Sequence, residues 1–311
     1  MRGPVGFGKR LGFERLEART VLNGTVMVTN AGGALTITGD ASSNFFQVQQ
    51  TGTTAGGGVN VRVTGFATKI DNLDTGTTGN SFAFTGVMSV TVDESAGGNN
   101  HITIVGVNIG TAGDVNVTTG DGNNILTVAN VKSNDASINM GGGNDVASFV
   151  GLSTAGGGDI SVNAGNGRDV IVLSNVHAGT SSAPAELSVN IGSGTDVLTV
   201  VNSSAGDASF NLGDGTDVAS FVNLRTTGDI SVNAGDGRDV IALNNVHAGT
   251  SSSPAALSVN LGSGSHDVLS VALSSAGDAS FNASGSNSIL VWKHTGNHFT
   301  TESDSGFSIV V

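Results

Sequence analysis

The segment from Asp229 to Val246 (DISVNAGDGRDVIALNNV) is written a second time, almost letter for letter, from Asp159 to Val176. Looser copies fill most of the chain between Gly113 and Leu290. A repeat constrains a fold more tightly than composition does, because each copy must pack on the next in the same way. Each copy has a Gly-x-Gly-x-Asp turn, whose first glycines fall at 141, 165, 192, 213, 235 and 262, spaced 24, 27, 21, 22 and 27 residues apart. A longer period lies over this one. Gly141 to Gly213 is 72 residues, and Gly165 to Gly235 and Gly192 to Gly262 are each 70. A block of three units has therefore been duplicated. Its long unit carries the same insertion both times, at His177-Ala178-Gly179-Thr180 and His247-Ala248-Gly249-Thr250.

Within a unit, the residues before the turn read apolar, Ser, apolar, Asn, as in Ile160-Ser161-Val162-Asn163 and Leu187-Ser188-Val189-Asn190. Period-two alternation predicts a half-buried strand with Ser and Asn outward. After the turn, Ile171 and Leu173, Leu198 and Val200, and Ile241 and Leu243 predict a second strand. Two strands and two turns in just over 20 residues fit one coil of a solenoid. The expected fold is all-β, a parallel β-solenoid with coils of about 21–27 residues. Parallel crossovers favour the right-handed form.

The copies place one aspartate per coil at the same phase: Asp145, Asp169, Asp196, Asp217, Asp239 and Asp267. Coils stack at about 4.8 Å, and unit charges that close repel by roughly 3 kcal/mol at an effective dielectric of 20. The row needs something to offset its charge. Ca2+ takes carboxylate and carbonyl oxygens in flexible geometry, and glycine turns expose their carbonyls. Arg168 and Arg238, each just before an aspartate, could offset part of the charge themselves. In a metal-free alternative, each Asp accepts hydrogen bonds from turn amides. The Asn column (139, 163, 190, 211, 233, 260, 282) is expected to be structural, each amide bonding along the stack. His177 and His247 lie three coils apart, about 14 Å at one strand spacing per coil, too far to share a metal.

These turns resemble the calcium-binding nonapeptide of RTX (haemolysin-type) proteins, Gly-Gly-x-Gly-x-Asp-x-apolar-x. From Ala234 to Ala242 every place matches except the first, where Ala replaces Gly. The resemblance covers Gly120 to Leu273. It departs from the family in three ways: Met, Ala, Ile or Leu stands at the first place, one turn per coil matches, and coil length varies. In that family the Asp and turn carbonyls of successive coils hold calcium. The resemblance thus implies Ca2+ at the six aspartates, with Gly165, Gly167, Gly192, Gly194, Gly213, Gly215, Gly235 and Gly237 shaping the turns.

The net charge of −13 argues against nucleic acid and suits cations. There is no cysteine, so no disulfide or thiol chemistry. No apolar run has the length of a transmembrane helix. Residues 1–23 form a basic leader in which Phe13 to Leu22 (FERLEARTVL) resembles the LEPR-XLL motif of exported or surface proteins of some bacteria, with Ala18 and Val21 departing from it. Residues 24–113 read as degenerate coils or a cap, 114–292 as regular repeats and 293–311 as a C-terminal cap or tail.

The expected function is a structural or adhesive module, extracellular or at a bacterial cell surface, not an enzyme. Its expected partners are calcium and a cell-surface polysaccharide or protein. Two alternatives are a parallel β-helix polysaccharide lyase or hydrolase, and the repeat portion of a larger type I-secreted protein. Internal duplication and the scattering of Lys132, Arg168, Arg225 and Arg238 weigh against a single catalytic cleft. Asp304 ahead of the apolar end Phe307 to Val311 resembles a type I secretion tail.

Overall fold

Alternation in the sequence becomes inside and outside in space. In the strand Ile230–Asn233, Ile230 and Val232 are buried while Ser231 is exposed. After the turn, Ile241 and Leu243 point in, and Val240 points out. The computed structural model describes residues 24–292 and 296–310. It is an all-β solenoid of about nine turns, as the repeat predicts. The pre-turn strands build a 14-stranded sheet and the post-turn strands a 13-stranded one. Equivalent residues pair without slip: Asn139 with Asn163, Asn163 with Asn190, and onward to Asn282.

The core lies between the two sheets. Phe149, Phe210, Phe221 and Phe281 are among its largest buried side chains. Phe210 and Phe221 meet edge to face across one coil, their centroids 4.7 Å apart. Each fully buried Val, Leu or Phe contributes about 1.5–3 kcal/mol over an exposed one, so stacking supplies the stability that a lone coil lacks.

The coil differs from the expected two-stranded one in having a third side. Its short strands pair in parallel, Lys132–Ser133 with Ser153–Thr154 and Ser204–Ala205 with Arg225–Thr226. Bridges at His177, His247 and Ser275 continue the column. The corner leading into this side needs one left-handed residue. Asn130, Asn175, Asn202, Asn223 and Asn245 supply it with φ between 51° and 58°. Asparagine tolerates that region because its short side chain bonds locally. These side chains also bond to one another, Asn223 Nδ2 donating to Asn202 Oδ1 at 2.7 Å and Asn245 Nδ2 to Asn223 Oδ1 at 2.6 Å. In the last such corner Leu273 takes the same conformation, at φ 53°, while 53% exposed.

At the N-terminal end the pairing turns antiparallel. Thr25–Ala31 pairs with Ala34–Gly39, and Phe45–Thr53 with Val59–Gly65, which pairs with Ser81–Val87. These strands join the stack where Ala34–Gly39 meets Ser89–Glu94 and Phe45–Thr53 meets His101–Val105. At the other end His298–Ser305 and Phe307–Val310 add the last strands of the two sheets. The LEPR-XLL-like stretch lies outside the described residues. Among the described residues no helix is long and apolar enough to cross a membrane.

Candidate cation site at the aspartate corner

Each aspartate of the row turns inward. Asp145, Asp169, Asp196, Asp217, Asp239 and Asp267 are each at most 1% exposed. Parity explains the direction. The Val after each Asp faces out, as Val146, Val218 and Val240 do at 40–45% exposure, so the Asp before it faces in.

One carboxylate oxygen is committed. Asp145 Oδ1 accepts the Asn124 N–H at 2.7 Å, Asp169 Oδ1 that of Asp145 at 2.7 Å, and Asp196 Oδ1 that of Asp169 at 2.7 Å. Asp217, Asp239 and Asp267 continue the series at 2.8, 2.9 and 3.0 Å. The amide accepted is a turn amide, as the metal-free alternative expects, and it belongs to the turn of the preceding coil. The column runs past the aspartates in both directions. Asn100 Oδ1 accepts the Asn44 N–H at 2.9 Å and Asn124 Oδ1 the Asn100 N–H at 3.0 Å. At the far end Ser288 donates its hydroxyl to Asp267 Oδ2 at 3.0 Å.

The other oxygen is free. Oδ2 of Asp145, Asp169, Asp196, Asp217 and Asp239 is buried without a hydrogen-bond partner. The asparagine coils show what this place faces. Asn124 Nδ2 donates to the turn carbonyls of Gly120 and Gly122, both at 3.1 Å, and to the Met140 carbonyl at 3.3 Å. An amide donor satisfies those carbonyls. A carboxylate in the same rank sets lone pairs against lone pairs. Burial accordingly pushes Asp217 and Asp239 up to about 7 and Asp145 and Asp196 to about 6, with neighbouring carboxylates adding to the rise. Burial raises Asp169 as well. A buried, unpartnered acceptor of this kind requires a proton or a cation.

The glycines are required for a different reason than turn reversal alone. Gly165, Gly192, Gly213 and Gly235 have φ of 84–102°, but Gly194, Gly215 and Gly237 lie outside the left-handed region. What unites them is coil contact. A Cβ on Gly194, Gly215 or Gly237 would stand 1.5–1.8 Å from the carbonyl oxygen of the preceding coil's glycine, and one on Gly167 1.6 Å from that of Gly143. The two glycine columns let the turns stack.

Arg168 and Arg238 are both exposed, on the opposite face of the chain from the buried Asp that follows. His177 and His247 lie on the third side, separated by Ser204 and Arg225, as their sequence spacing implies. Among the described residues no three His, Asp or Glu side chains gather as a metal cluster. An ion in the corner would therefore draw on one or two carboxylates and on backbone carbonyls.

A further buried acid sits in the N-terminal coils. Glu94 Oε2 accepts the Asn44 amide at 2.8 Å, Oε1 has no partner, and burial pushes its pKa up to about 8. No sequence pattern singled it out, but its phase gives it away. It pairs with Thr119 at the place just before the turn, where later coils carry Met140, Ala164 and Ile191.

No protein-family profile, curated protein or solved structure matches this chain.

Proposed function

We propose that this protein is a structural β-solenoid module, exported or displayed at a bacterial cell surface, that takes up Ca2+ along its aspartate corner. The observation that supports calcium is the set of five buried Oδ2 atoms without partners, in the corner position where the Asn124 amide meets turn carbonyls. Hard cations take such mixed carboxylate and carbonyl oxygen sets. The ligands would be Asp145, Asp169, Asp196, Asp217, Asp239 and Asp267 with carbonyls of the adjoining glycine turns. The ion would neutralise the row and link its binding to folding. Export is supported by the LEPR-XLL resemblance of Phe13 to Leu22.

Asn124 favours a second reading, in which each aspartate carries a proton and donates to a turn carbonyl as that amide does. A calcium titration of chelator-treated protein at pH 8, followed by thermal melting, separates the two. A rise in melting temperature that saturates with calcium and is lost in Asp217→Asn/Asp239→Asn supports the ion. A melt unmoved to millimolar calcium, but rising as pH falls, leaves the proton.

A further inference from the structure

The two copies of the insertion face each other across the third side of the solenoid. Each is a tight hairpin: Gly179 pairs with Pro184 in the first and Gly249 with Pro254 in the second. Thr250 N donates to the Ser253 carbonyl at 2.8 Å, and Thr180 Oγ1 and Thr250 Oγ1 accept the N–H of Ala183 and Ser253, both at 3.1 Å. The two coils between them lack the insertion, so the hairpins wall a trough of about 750 Å3. Its walls stand three coils apart, about 14 Å at one strand spacing per coil. That admits one extended polar chain.

The floor is unlike the rest of this acidic protein. Among the described residues no Asp or Glu lines the trough, although the chain carries 25 of them. Arg225 stands on the floor, exposed, and its guanidinium makes no hydrogen bond or ion pair among the described residues. Beside it His247 is held by both ring nitrogens, Nδ1 to Ser275 Oγ and Nε2 to Asn245 Oδ1, each at 2.6 Å. Around the charge the lining is hydroxyl and small: Ser181, Thr227 and Ser251 are exposed, and alanines, glycines and prolines fill the rest. Among the described residues no large apolar side chain lines it.

We propose that this trough binds an acidic saccharide chain, with Arg225 pairing with a uronate carboxylate and the wall hydroxyls meeting the sugar's own. A guanidinium recognises a carboxylate bidentately, and such charge-assisted bonds are the strong ones. The trough opens on the third side and not at the aspartate corner, so it does not rest on calcium. It rests on the surface-display reading only for where the saccharide would be met.

Calorimetry with the full chain in chelator tests this, with a hexuronate oligomer titrated against a neutral hexose oligomer and polyglutamate. The hexuronate is expected to bind, with Arg225→Gln weakening it about tenfold or more and Lys132→Gln, which lies outside the trough, leaving it unchanged. No binding of the hexuronate to millimolar concentration would overturn the proposal. So would equal binding of the neutral oligomer or of polyglutamate, an unchanged affinity in Arg225→Gln, or an equal loss in Lys132→Gln. Working in chelator keeps the outcome separate from that of the calcium titration.

Discussion

Asp217 accepts the backbone N–H of Asp196 through Oδ1 at 2.8 Å, while its Oδ2 is buried with no partner. One half of the side chain clamps two coils together, and the other half is left facing oxygen. Substitutions at this residue separate the two roles.

Asp217→Asn keeps the clamp and replaces the free oxygen by a donor, as Asn124 already does four corners up the stack. In chelator at pH 8 it should stabilise the protein by about 1–2 kcal/mol, since a buried unmet acceptor is removed. Asp217→Ala should destabilise by about 1–3 kcal/mol, because the Asp196 N–H is then buried without a partner. Urea melts of the two variants check this, and destabilisation by both would count against the corner's oxygen conflict.

The pH dependence in chelator has a definite sign. The folded-state pKa of Asp145 and Asp196 is raised to about 6, that of Asp217 and Asp239 to about 7 and that of Glu94 to about 8. The native chain thus holds protons that the unfolded chain has released. The stability they give is full below the unfolded carboxylate range near pH 4 and is lost as pH rises through about 6 to 8. Denaturant midpoints between pH 4.5 and 9 should fall across that window, and Glu94→Gln should remove the part nearest pH 8. A midpoint that climbs with pH would contradict the free-oxygen geometry.

Leu273 sits in the one Asn-rich corner where the chain has no reason to prefer leucine. Its φ is 53° and its side chain is 53% exposed, so it carries left-handed strain with little burial in return. Leu273→Asn should stabilise by about 1 kcal/mol, a shift of about 2–4 °C by thermal melt.

Gly215→Ala should be severe. The added Cβ would stand 1.8 Å from the Gly194 carbonyl oxygen, which is backbone and cannot swing aside. A loss of about 3 kcal/mol or more is expected. Gly32→Ala, at φ 61° with nothing within 4 Å of its Cβ, should cost only about 1 kcal/mol. Equal losses in urea melts would show that conformation, and not coil contact, dictates these glycines.

The repeat made the sheets readable, because Ser and Asn at alternate places can only be outward when Ile and Val are inward. The Asn column on that face bonds along the stack as expected, Asn211 Nδ2 to Asn190 Oδ1 at 2.7 Å being typical, although Asn282 turns its amide to Ser280. The inward turn of the aspartates was equally present in the parity of Asp239, Val240 and Ile241, yet carboxylates are ordinarily placed outside by habit of charge. The third side was not readable, since two-residue strands such as Arg225–Thr226 carry no periodicity. The antiparallel N-terminal strands were hidden for another reason. Alternation in Val59–Gly65 is the same whichever way its neighbour runs.

The corner bonds all run one way, each aspartate reaching back to close the coil before it. In a chain cut after any coil, the last corner amide therefore lacks its latch, which only the next coil supplies. The series ends at Ser288, whose hydroxyl donates to Asp267 Oδ2. Exchange of the Asp239 amide proton in a chain ending just before Asp267 would read the unlatched step directly, and protection equal to the full chain's would show that the latch adds nothing.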